Sequence, residues 1–168
     1  AIAQYDTALG IREGAFGPGH ISTAPMVMNL GLAYQSEGEF AKAREYYTRA
    51  LRIRDSEYGP NHPTSRGTLN NLGYLYIQTS QHSEAIGPLA RAVEIAPDNE
   101  FAAQTLGVAR RRISQLYLPP QSAGGASVPI PTNPEILYTL GQMSRERGDL
   151  SGAVAYWEAA LASDSTHA

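Results

Sequence analysis

Small and bulky apolar residues recur along this chain in one order at one spacing. Leu30-Gly31 is followed three residues later by Tyr34, and Leu72-Gly73 by Tyr76, with the two glycines 42 residues apart. Twelve residues after each glycine stands an alanine (Ala43, Ala85), then a bulky apolar residue (Tyr47, Leu89), then a second alanine (Ala50, Ala92). Alanines seven residues apart with an apolar residue between them mark one face of a helix. Self-similarity at this period predicts stacked helical hairpins, each too small to bury its apolar face alone.

In each hairpin the glycine of the first helix, A, lets the second helix, B, come close. Glu37-Gly38-Glu39 forms the turn of one hairpin and Thr79-Ser80-Gln81-His82-Ser83 the turn of the next. Pro97 ends the second helix B, because proline cannot continue a helix. Ala1, Tyr5 and Ala8 stand 42 positions before Ala43, Tyr47 and Ala50, so residues 1–16 read as a helix B with no helix A before it. Repeats follow at 24–57 and 66–97.

After Pro97 the spacing shortens to 34, with Gly107 and then Gly141 in the glycine position. Residues 100–118 read as a lone helix, with Arg110 where the tyrosine would stand. Its helix B is replaced over 119–134 by a stretch holding Pro119, Pro120, Gly124 and Gly125, which predicts an extended loop. A terminal hairpin over 135–168 carries Leu137, Leu140, Gly141, Ala153, Trp157 and Ala160, with Ser144 in place of tyrosine and Arg147-Gly148-Asp149 as its turn.

The spacing of these small and large residues resembles the tetratricopeptide repeat. The 42-residue period and the joining segments resemble the kinesin light chain subtype. Ile11-Arg12-Glu13-x-x-Phe16-Gly17-Pro18-Gly19-His20 and Ile53-Arg54-Asp55-x-x-Tyr58-Gly59-Pro60-Asn61-His62-Pro63 are two copies of the joining signature, and Leu69-Asn70-Asn71-Leu72-Gly73-x-Leu75-Tyr76 resembles the helix that follows it. The resemblance implies an all-α, right-handed superhelical solenoid of antiparallel helix pairs that holds a protein or peptide partner without enzymatic chemistry. It also implies a concave groove lined by helix A: Met28, Asn29, Leu32 and Gln35; Asn70, Asn71, Tyr74, Ile77 and Gln78; then Gln104 and Arg111. Asparagines in such a groove can clamp a peptide backbone, since an amide both donates and accepts. Met28 and Leu32 stand where a clamp for a terminal carboxylate would need basic residues.

Composition narrows the chemistry. The net charge of −3 and the tyrosine and alanine packing argue against an RNA-binding helical repeat. The absence of cysteine excludes disulfides and thiolate metal sites. No apolar run approaches the ~20 residues of a membrane helix. The chain opens at Ala1 without methionine and reads as a mature or trimmed product, which leaves its compartment unassigned.

His20 and His62 occupy equivalent joining segments without a third ligand nearby and read as loop caps, not a metal pair. Ser22 or Thr23, and Thr64 or Ser65, read as helix N-caps. Gly17-Pro18-Gly19 lacks the lysine of a phosphate loop and follows a helix. Arg110-Arg111-Arg112 reads as a solvated helix face. No serine, histidine and acid stand in a supporting motif. No cofactor or catalytic residue is expected. The alternative to a partner-binding module is a self-assembling subunit, dimer or filament, in which Ala1, Tyr5, Ala8 and Leu9 form an uncovered stripe and Trp157 a complementary face.

Overall fold

The computed structural model describes residues 2–118 and 130–164, without the Asp164 side chain. Residues 119–129 of the loop expected over 119–134, and the stripe residue Ala1, lie outside the described residues. All regular structure among the described residues is helical: α1 (Ile2–Phe16), α2 (Ala24–Ser36), α3 (Phe40–Tyr58), α4 (Arg66–Gln78), α5 (His82–Ile95), α6 (Glu100–Tyr117), α7 (Pro134–Glu146) and α8 (Leu150–Asp164). The chain divides into two compact units, Ala1–Thr105 and Leu106–Ala168.

In the first unit α2 pairs with α3 and α4 with α5, while α1 rests on α2 and α3 on α4. The pairs are therefore stacked repeats. Val27, Leu30, Ala43, Tyr47 and Ala50 are buried in one pair, and Leu69, Leu72, Ala85, Leu89 and Ala92 in the next. Each fully buried leucine contributes ~1.5–3 kcal/mol. In the second unit α7 and α8 pair around Leu137, Leu140 and Ala153.

The glycines are where helix A meets the bulky residue of helix B. A Cβ built on Gly31 would lie 2.6 Å from the Tyr47 ring, and one on Gly73 or Gly141 would overlap Leu89 or Trp157. At Gly107 the nearest side-chain atom among the described residues is 3.9 Å away, on Arg111.

The turns between A and B share one geometry. Gly38, Ser80 and Gly148 occupy the same position at φ +78°, +60° and +81°. In each turn the next amide bonds back to helix A: Glu39 N to Tyr34 O at 2.9 Å, Gln81 N to Tyr76 O at 2.8 Å, Asp149 N to Ser144 O at 2.9 Å. This is the six-to-one closure of a helix C-terminus, which needs a left-handed residue. Ser80 adopts it without being glycine.

The joining segments correct the expected caps. Thr23 and Ser65 stand at the N-caps of α2 and α4, but neither side chain makes the capping bond. A single 3-10 turn precedes each helix (Ile21–Thr23, Pro63–Ser65), and the histidine before it does the capping. His20 Nδ1 accepts from Ser22 N at 3.2 Å and His62 Nδ1 from Thr64 N at 3.4 Å. Phe16 stacks on His20 at 5.0 Å and Tyr58 on His62 at 4.5 Å.

Two helix details depart from simple propensity. Pro88 lies inside α5 and has no N–H for the Glu84 carbonyl, yet the helix continues to Ile95. Pro134, expected at the end of the loop, opens α7 behind an Asn133 cap that accepts from Glu135 N at 2.9 Å. Proline suits the first helical position, where its missing N–H costs nothing.

Candidate partner-binding groove

Helix A residues meet across hairpins in the first unit. The amide of Gln35 donates to Gln78 Oε1, and its own oxygen accepts from Tyr47 Oη at 2.6 Å. Asn70 Oδ1 accepts from Asn99 Nδ2 at 3.0 Å, and Tyr74 lies against Phe101 with ring centroids 5.9 Å apart and planes tilted by 55°. These contacts tie α2 to α4, and α4 to the start of α6.

The candidate groove residues divide by what they already hold. Gln35 and Asn70 are engaged by the protein itself. Asn29 and Asn71, equivalent positions one repeat apart, are half-buried, and their side-chain amides make no hydrogen bond to any described residue. Leu32 and Tyr74, also equivalent, are 41% and 42% exposed, and Phe101 is 47% exposed. Ile77 is half-buried, while Gln78 and Gln104 are exposed. Met28 is half-buried on the core with its Sδ 3.8 Å from the Arg54 guanidinium. Arg111 is exposed in the second unit.

Arg54 escaped the sequence reading. It is buried, it donates to Thr68 Oγ1 beneath the Met28 thioether, and desolvation lowers its pKa. Asn99 and Phe101 were also missed, because they stand just before and at the start of α6, where the 42-residue register has ended.

The residues proposed for self-association fare differently. Tyr5 is 36% exposed and Ala8 half-buried, whereas their equivalents Tyr47 and Ala50 are fully buried. Leu9 does not belong to an open stripe. It is buried with Leu30, Ala50 and Ile53, on the side of α1 that rests on α2, as Leu51 is buried one repeat later. Trp157 packs within its own hairpin over Gly141, with Nε1 donating to the Tyr138 carbonyl at 3.3 Å and the Arg145 guanidinium 5.9 Å above its ring.

No group of three or more His, Asp or Glu among the described residues could hold a metal ion. No helix among them is long and apolar enough to cross a membrane.

These helix pairs have known counterparts. The family model described as tetratricopeptide repeat matches residues 22–98. The crystal structure of BtubC (BKLC) from P. vanneervenii superposes with a TM-score of 0.53 at 20% identity, over 99% of this chain and 56% of that one. This chain thus spans little more than half the length of that relative. The crystal structure of a Podosopora anserina putative kinesin light chain with nearly identical TPR-like repeats gives 0.54 at 18% identity, over 99% of this chain and 86% of that one. No curated protein sequence matches. The fold is a tetratricopeptide-like all-α repeat. It is a helical-repeat scaffold, consistent with a protein–protein interaction module.

Proposed function

We propose that this chain is a non-enzymatic binding module of kinesin light chain-type repeats whose helix A surface, on α2, α4 and the start of α6, takes an extended protein segment. The observation that carries this is the pair Asn29 and Asn71: two amides at equivalent positions, without partners among the described residues, beside the exposed Leu32 and Tyr74. Such amides match the alternating donors and acceptors of an extended backbone. The apolar neighbours supply buried area on binding. Every groove residue of the first unit is uncharged, so recognition rests on backbone and apolar contact.

Partner capture on the immobilised chain tests it. Asn71→Ala with Tyr74→Ala should reduce capture at least tenfold, since a truncated interface aromatic often costs ~2 kcal/mol or more. Asn70 is the poorer target, because its loss also breaks the bond to Asn99. Capture unchanged in the double variant, with thermal unfolding also unchanged, would contradict the reading.

One observation favours a second reading, self-assembly through α1. Tyr5 is over a third exposed where Tyr47 is fully covered by helix A. Sedimentation against concentration decides it: an oligomer that Tyr5→Ser dissolves supports assembly, and a monomer at high concentration rejects it.

A further inference from the structure

A cleft of about 860 Å³ lies along α3 and is lined by basic residues and tyrosines, with Tyr34 of α2 and Tyr76 of α4 contributing and none of the candidate groove residues in the lining. Lys42, Arg44, Arg49 and Arg52 line it, against Glu45 as the one acid in the lining. Two of the four cations are already held. Lys42 pairs with Glu39 at 3.5 Å, and Arg49 is bound by Glu13 and by the Pro18 carbonyl at 3.0 Å. Arg44 and Arg52 are exposed, and their guanidinium groups make no ion pair or hydrogen bond to any described residue.

Their placement is regular. Arg44, Thr48 and Arg52 follow each other at four-residue steps, so they form one ridge along α3. Eight residues at helical rise put the two guanidinium stems ~12 Å apart. Tyr76 of α4 stands beside the ridge: burial raises its phenol pKa, the Arg44 charge lowers it, and Glu84 raises it. Its hydroxyl stays protonated at neutral pH and can donate. A span of ~12 Å is also what four residues of extended chain cover. Two isolated cations at that separation, with hydroxyl donors between and beside them, suit two carboxylates on a short segment. A nucleic acid presents a phosphate at every step and gains most from a dense basic field. Here Glu45 lies within the lining, and the protein as a whole carries a net charge of −3.

We infer that the Arg44–Thr48–Arg52 ridge is a second docking surface, for an acidic protein segment with carboxylates about four residues apart. It lies on helix B and is independent of the partner proposed for helix A. The probe is a fluorescein-labelled dodecapeptide with Glu at every fourth position, compared with its Gln counterpart and with a single-stranded RNA of equal length. Anisotropy is read at low and at physiological salt. The acidic peptide should bind saturably and weaken as salt rises, and the Gln peptide should not bind. Arg44→Glu with Arg52→Glu should weaken binding about tenfold or more, as expected for reversing two exposed charges. Arg66→Glu, on α4, should leave it unchanged. Circular dichroism melting of each variant shows whether the fold is kept, and the milder Arg44→Gln with Arg52→Gln stands in if it is not. Absence of saturable binding, an equal loss in Arg66→Glu, or tighter binding of the RNA would each overturn the inference.

Discussion

Arg91 on α5 holds Asp55 on α3, and its Nε also donates to the Pro60 carbonyl at 2.7 Å. One repeat earlier Arg49 does the same to Glu13 and to the Pro18 carbonyl. A single arginine therefore clasps the preceding helix B and the loop that leaves it. Both pairs are roughly three-quarters buried, which strengthens them relative to open surface pairs.

Because the clasp joins successive hairpins, Arg91→Ala should cost ~1–2 kcal/mol, combining an ion pair with a charged bond to a carbonyl. A double-mutant cycle with Asp55→Ala in urea unfolding should show coupling of ~0.5–1 kcal/mol. Additive losses would mean that the two side chains do not act together.

Gly73→Leu should destabilise the stack by ~1–3 kcal/mol or more, since its side chain must displace Leu89. Gly67→Ala, also in α4, has open space around it and should be neutral or stabilising by up to ~1 kcal/mol. Thermal unfolding separates the two. Equal melting of Gly73→Leu and the parent would contradict the helix register.

Ser80 is the one described non-glycine residue with positive φ, at +60°. The left-handed conformation costs an L-residue ~1–2 kcal/mol. Ser80→Gly should therefore add a few tenths to ~1 kcal/mol of stability after the added freedom of the unfolded chain is counted, and so raise the melting temperature. Ser80→Val should lower it. A lower melting temperature for Ser80→Gly would mean that the serine side chain supports the turn.

Burial pushes the Tyr47 phenol well above its ordinary value of 10.0. The unfolded chain ionises this group from about pH 10 upward, while the folded chain keeps it protonated. Its stabilising effect is thus complete below pH 10 and is lost as pH rises beyond. Tyr47→Phe should cost ~1 kcal/mol at pH 8, where the bond to Gln35 is missing, and less at pH 11. Tyr46, Tyr76 and Tyr156 are raised by burial too, so the alkaline loss becomes shallower without vanishing. A gap between parent and variant that is the same at both pH values would contradict this.

The helix pairs were legible because glycine and bulky residues come in complementary partners: Gly31 with Tyr47, Gly73 with Leu89, Gly141 with Trp157. The clasps left an equally regular trace, with Glu13 and Asp55, and Arg49 and Arg91, each 42 residues apart. Charges are common on helix surfaces, so that register says little until the chain folds and brings α3 beside α5. His20 and His62 were legible as loop caps, but that each accepts from the amide two residues on depends on which ring nitrogen faces the next turn, which no spacing encodes. Leu9 was misplaced for a simpler reason. A helix B has two covered faces, one for its own helix A and one for the next, and in α1 the second is covered by α2, where Leu9 meets Leu30. In the groove, Asn29 and Asn71 are distinguished from Gln35 and Asn70 only by hydrogen bonds that three-dimensional neighbours make.

The most direct test of the central claim is photo-crosslinking from the helix A surface. A benzophenone side chain placed at Leu32 or at Tyr74 should crosslink the captured partner, and the same group at exposed Glu94 on α5 should not. Crosslinking from Glu94 with none from Leu32 or Tyr74 would contradict the account and move the partner off the helix A surface.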